Sequence, residues 1–183
     1  AMVTSSTSGK YAVTATINGH SASKDAVFVA DSGTATITSG DLKVAVDNAL
    51  ANGTAMDAVQ AKVTDAHGNT VPNVTVNFTA DHGAIVTTAS AVTDVNGLAS
   101  TTLSNTTSGT TNIVAAVNGT NQNVNTNFAP DDSTATIIKG NLIVTQNNAK
   151  ANGTDSNKVQ ATVTDANGNP VPNTAVSFTA DNG

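Results

Sequence analysis

The chain has 183 residues, enough for one large domain or nearly two small ones, and its net charge of -6 includes only seven Lys plus Arg. Without clustered cations to displace counterions, nucleic acid and anionic membrane surfaces are excluded as partners. Hydrophobic residues make up 38% of the chain, against 11% charged and 3% aromatic, and Val, Ile and Ala spaced among Thr, Asn and Ser favour short half-buried strands over disorder.

There is no cysteine, which removes disulfides and thiolate metal sites together. Two settings fit: the cytosol, or export as an unfolded chain along a route that premature disulfides would obstruct. No apolar run of even about ten residues offers a signal peptide or membrane span, and Ala1-Met2 reads as a cloning scar. Targeting signals are therefore expected elsewhere in a longer protein.

In chain order, the first markers are Ser8-Gly9, Asn18-Gly19 and Phe28, which return 100 residues later as Ser108-Gly109, Asn118-Gly119 and Phe128. A polar stretch follows at Asp31-Ser32-Gly33. Leu42, Val44 and Val46 then alternate with polar residues at the period of a strand with one inward face. Asn52-Gly53 marks a turn, since Asn-Gly supplies the positive φ of a tight connection. Val59, Ala61 and Val63 alternate next, then a turn carries Gly68-Asn69 and Pro72, where a missing N–H does a sheet no harm.

Val74, Val76 and Phe78 give another strand, and His82-Gly83 and Asn96-Gly97 are further turns. Ile113, Ala115 and Val117 alternate before the turn at Asn118-Gly119, and Asp131-Asp132-Ser133 repeats the earlier polar stretch. From there Thr134–Gly183 matches Thr34–Gly83 without a gap, with roughly 30 of about 50 positions identical.

The repeat fixes the expected organisation: 1–33 is the C-terminal part of one unit, 34–133 a complete unit and 134–183 the N-terminal part of the next. Short strands with frequent turns and no helix signal predict an all-β chain of immunoglobulin-like antiparallel Greek-key sandwiches in tandem, without disulfides. Phe78 and Phe128 are the bulky inward residues. A unit cut in half cannot close its core, so the flanking parts are expected to be unstable without a partner. They are complementary pieces of one unit, which gives them a route to association between molecules.

Catalytic chemistry is not legible. His20, His67 and His82 lie on separate turns with no second ligand at metal-site spacing. No Gly-x-Ser-x-Gly elbow is present, and the adjacent Asp131-Asp132 pair lies in a linker and not a cleft. Asp31, Asp131 and Asp132 offer oxygen atoms to a calcium ion, but without the spaced Asp run of a calcium loop they read as a polar hinge. No catalytic, cofactor-binding or metal-binding residue is expected. The residues assigned a role are the interdomain junctions Asp31, Ser32, Gly33, Asp131, Asp132 and Ser133.

The motifs Val63-Thr64-Asp65-Ala66-His67-Gly68-Asn69-Thr70-Val71-Pro72-Asn73, Val76-Asn77-Phe78-Thr79-Ala80 and Thr93-Asp94-Val95-Asn96-Gly97-Leu98-Ala99, with Ala51-Asn52-Gly53-Thr54 before them, resemble the bacterial Ig-like group-one domains of the intimin and invasin family. The resemblance runs through all three copies. It implies a non-enzymatic segment of a bacterial surface adhesin, held in the outer membrane by a β-barrel outside this segment. It also implies a host-cell receptor bound by a distal domain that is likewise outside it.

In that setting the partners of these residues are neighbouring repeats, and each sandwich adds on the order of 40 Å of reach. Short junctions make the array semi-rigid. The competing reading makes the repeats themselves the binding modules, for glycan, host protein or one another. A third places them beside a catalytic domain of a secreted enzyme.

Overall fold

The computed structural model describes residues 1–181, and among them every regular element is a β-strand or a single 3₁₀ turn. Strands β1 (Gly9–Ile17) and β2 (His20–Phe28) form an antiparallel hairpin, paired from Gly9 with Phe28 to Ile17 with His20. Their turn is Asn18-Gly19, with φ of 47° and 80°, the left-handed pair that a two-residue hairpin requires. Strands β9 (Gly109–Val117) and β10 (Thr120–Phe128) reproduce it 100 residues on, around Asn118-Gly119.

Between the hairpins lie β3 (Leu42–Val46), β4 (Asp57–Lys62), β5 (Thr75–Ala80), β6 (Ile85–Val86), β7 (Ser90–Val92) and β8 (Leu98–Ser104). With β9 and β10 they make two four-stranded sheets, β3-β4-β8-β6 and β10-β9-β5-β7. From β4 to β9 each strand lies in the opposite sheet from the one before it, while β3–β4 and β9–β10 are paired within a sheet, an antiparallel sandwich arrangement. Val59, Ala61, Val63, Val76, Phe78, Leu103, Ile113, Ala115 and Phe128 fill the space between them, none more than 2% exposed. The alternation expected for β4, β5 and β9 is what the sheets bury.

The strand at Leu42 departs from its pattern. A bulge puts Val44 opposite Val59 but Val46 opposite Ala58, so the alternation breaks and Val46 points outward, 51% exposed. Beyond it the chain crosses to the other sheet. Asn48 takes φ 64°, Leu50 bridges Ala129 in parallel, and Ala51 donates its N–H to the Ala129 carbonyl at 2.7 Å. The open edge of β10 is thus partly covered.

The crossing is braced by polar side chains. The Thr126 hydroxyl sits between the carboxyl groups of Asp47 and Asp57, 2.8 and 2.7 Å away, and Asp57 also accepts the Ala49 N–H at 2.9 Å. Backbone N–H donation from Asn127, aided by the Thr126 hydroxyl, holds the Asp47 carboxyl below its ordinary range against the cost of burial.

Strands β11 (Leu142–Gln146) and β12 (Lys158–Ala161) pair as β3 and β4 do, with Leu142 opposite Ala161 and the same bulge after Val144. Their surroundings differ. Val59 is fully buried and Val159 is 52% exposed; Phe78 is 1% exposed and Phe178 54%. Among the described residues nothing beyond Ala161 forms a strand to cover them.

Candidate functional site

The feature that the structure builds twice is a five-residue turn. Asp65-Ala66-His67-Gly68-Asn69 leaves the end of β4, and Gly68 takes φ 83°, which lets the chain reverse. One Asp65 carboxylate oxygen accepts the N–H groups of His67 and Asn69, both at 2.9 Å, and Asp65 and Asn69 also exchange a backbone bond of 2.9 Å. The turn is closed around its own carboxylate. Behind it, Val63 and Val71 are buried and joined at 3.0 Å. Gly97 comes so near that a Cβ there would lie 2.6 Å from the Val63 carbonyl oxygen.

What the turn offers outward is the rest of Asp65 and the Asn69 amide. The second Asp65 oxygen accepts the Asp31 N–H at 3.0 Å and the Asn69 side-chain N–H at 2.9 Å. Asn69 accepts the Ser8 N–H at 2.8 Å and donates to the Ser6 carbonyl at 2.9 Å. A side-chain amide can meet a backbone in this paired way because it carries an acceptor and a donor side by side. The β4 end is thereby clasped to the chain just before β1 and just after β2.

The same clasp recurs at 165–169. Asp165 accepts the Asp131 N–H at 3.1 Å, while Asn169 accepts the Ser108 N–H at 2.8 Å and donates to the Thr106 carbonyl at 3.0 Å. Asn167 adds a bond of 2.9 Å to the Ala51 carbonyl. Asp165, Asn169 and Val171 are buried here, although β11 and β12 are largely exposed.

Both carboxylates are tuned by these contacts. The Asn69 amide, then the N–H groups of Asp31, Asn69 and His67, hold Asp65 far below the usual carboxylate range, against a smaller opposing effect of burial. At Asp165 burial is the largest influence and opposes ionisation. The Asn169 amide, with the N–H groups of Asp131, Asn169 and Asn167, outweighs it, and the shift is again downward.

The six residues singled out in the sequence lie beside these clasps. Ser32–Thr34 and Asp132–Thr134 are single 3₁₀ turns, capped by Asp31 at the Gly33 N–H and by Asp131 at the Ser133 N–H. The Ser32 carbonyl accepts the Asn118 side-chain N–H at 2.9 Å, and the Asp31 and Asp131 backbones serve the carboxylates of Asp65 and Asp165. Asp132 contributes its carbonyl to Ala135, and no partner for its side chain is seen among the described residues.

The side chains that make the clasps, Asp65, Asn69, Asp165 and Asn169, were legible only as turn formers. The signal available was Asp-Ala-x-Gly-Asn repeated intact 100 residues apart with one position changed. Among the described residues no group of three or more His, Cys, Asp or Glu is placed to hold a metal ion.

Comparison with known proteins agrees with this architecture. Residues 39–129 and 139–183 match the model of the bacterial Ig-like domain (group 1). The chain is 37% identical over 178 residues to the inverse autotransporter adhesin YeeJ of Escherichia coli K12, covering 93% of this chain and 7% of that protein. The chain thus spans a small part of that relative's length.

Among solved structures it resembles the Escherichia coli adhesin FdeC, with TM-score 0.60 and 22% identity over 91% of this chain and 53% of that one. It also resembles InvD of Yersinia pseudotuberculosis, with TM-score 0.62 and 14% identity over 90% of this chain and 52% of that one. At those identities the likeness is one of fold. The resemblance carried by the sequence motifs holds, and the chain belongs to the family of bacterial Ig-like domains of group 1.

Proposed function

We propose that these residues form part of the repeat stalk of a bacterial surface adhesin, a spacer that carries a distal receptor-binding domain away from the outer membrane. In this reading residues 1–33, 34–133 and 134–183 are the end of one repeat, a complete repeat and the beginning of the next. The segments Asp31-Ser32-Gly33 and Asp131-Asp132-Ser133 are the joints between them.

The observation that carries the proposal is the clasp itself. Asp65 with Asn69, and Asp165 with Asn169, each reach back across a joint to backbone groups of the chain before it, in matching geometry 100 residues apart. Backbone groups are present whatever the neighbouring side chains, so a clasp of this kind can be repeated along an array of varied repeats. Each joint is held by several hydrogen bonds of about 1 kcal/mol each and by little free chain, which favours a semi-rigid rod over loosely strung beads.

The kinship with an inverse autotransporter adhesin supports the surface setting. An absence of cysteine suits a chain exported before it folds.

The test is to display on bacteria versions of the parent adhesin that differ only in repeat number, and to measure attachment to host cells. The stalk reading predicts that attachment falls as repeats are removed, while the isolated distal domain binds unchanged and the isolated repeats do not bind. Saturable binding of the repeats alone would overturn it in favour of adhesive repeats.

A further inference from the structure

The turn Asp165–Asn169 meets the β3–β10 sandwich on three separate chain segments. Asp165 takes the N–H of Asp131, just beyond β10. Asn169 takes the Ser108 N–H and gives to the Thr106 carbonyl, on the loop between β8 and β9. Asn167 gives to the carbonyl of Ala51, on the segment that crosses beside β10.

Two bodies tied at two points keep one rotation, about the line through those points. A third tie on a separate segment removes it. Ala51 is a firm anchor for such a tie, because the residue is fully buried and its N–H is bonded to Ala129 at 2.7 Å, so its carbonyl is fixed.

The turn does not need an amide side chain at this position. His67 stands there in the preceding turn, and its backbone N–H meets Asp65 at 2.9 Å as that of Asn167 meets Asp165 at 2.9 Å. The Asn167 amide is therefore spare to the turn's own bonding and is used outward.

We infer that Asn167 is the residue that sets the twist between the β3–β10 sandwich and the unit that follows it. Asn169 and Asp165 hold the two together. Asn167 decides their rotation, and position 67 or 167 of the repeat is where an array of such units can vary its twist without losing the clasp. This inference rests on the clasp reading above.

The absence of native cysteine makes the test direct. Cysteines replacing the exposed residues Gln60 on β4 and Gln160 on β12 carry spin labels, and double electron–electron resonance gives the distance distribution between them in the chain lengthened after residue 183 by a copy of residues 84–133, which supplies the strands the last repeat lacks. Three variants are compared with the parent: Asn167→Ala, Asn167→Asp, which keeps the shape but offers an acceptor where a donor is needed, and Asn169→Ala.

The parent is expected to give one narrow distance. Both Asn167 variants are expected to lose it to a broad distribution, with the melting temperature of the sandwich unchanged. A narrow distance in both Asn167 variants, alongside a broad one in Asn169→Ala, would overturn the twist-setting role and leave the clasp standing. A broad parent, or a distance that stays narrow in all three variants, would overturn the clasp reading and this inference with it.

Discussion

Ser8 and Asn69 are 61 positions apart and are joined by a hydrogen bond of 2.8 Å from the Ser8 N–H to the Asn69 side-chain oxygen. Ser108 and Asn169 make the same bond at the same distance. Replacing Asn69 with Ala removes this contact and the one to Ser6 while leaving the core untouched. The Ser8 amide is expected to exchange with solvent faster by roughly tenfold, the equivalent of one bond of about 1.4 kcal/mol. The check is hydrogen exchange by NMR at Ser8, with Ile113 as an internal reference that stays protected.

Asp65 and Asp165 give the clasps a pH dependence whose sign follows from the direction of their shifts. Each is held below its ordinary value when folded, so each contributes stability that is present above the unfolded value of about 3.9 and lost as pH falls through the folded one. The clasp amides of Asp31 and Asp131 are therefore expected to stay protected through mildly acidic pH and to open only in stronger acid. An acid titration followed at those two amides tests this. In Asp65→Asn the acid step at Asp31 is expected to vanish while that at Asp131 persists.

The buried brace at Asp57 has a natural control in the same chain. Position 157 is Asn, and it accepts the Ala149 N–H at 2.9 Å as Asp57 accepts that of Ala49 at 2.9 Å. Asn157 is exposed where Asp57 is buried, so it stands only for the Ala49 bond; Asp57→Asn keeps that acceptor and turns an N–H toward the Thr126 hydroxyl oxygen, and is expected to be close to neutral. Asp57→Ala strands the Ala49 N–H and one side of Thr126, and is expected to cost roughly 1–3 kcal/mol in a urea unfolding series.

Phe78 and Phe178 hold equivalent positions in the repeat in opposite environments, 1% and 54% exposed. Phe78→Ala is expected to destabilise the sandwich by about 3–5 kcal/mol, because it removes a fully buried ring and leaves a cavity. Phe178→Ala should leave the main calorimetric transition where it was.

Most of the fold was legible because burial and periodicity agree. The inward sets at Val59, at Val76 with Phe78, and at Ile113 are what the two sheets enclose, and the Asn-Gly pairs mark both hairpin turns. Val46 was misread as inward because a bulge is a backbone irregularity that alternation does not carry.

The segments Asp31-Ser32-Gly33 and Asp131-Asp132-Ser133 were singled out through the repeat, but the side chains bonded to their backbones were not. Asp65 and Asn69 look like turn formers, and their second use depends on Ser6, Ser8 and Asp31 being brought beside them in space. Asn118 was read only as a turn residue, although its side chain also reaches the Ser32 and Ala35 carbonyls.

The most direct test of the clasped rod is small-angle X-ray scattering on three complete repeats, with and without a flexible Gly-Ser insertion at Asp131. The account predicts a longer maximum dimension and a sharper rod-like profile for the uninterrupted array, with loss of both on insertion. Equal flexibility or equal compactness in the two would contradict it.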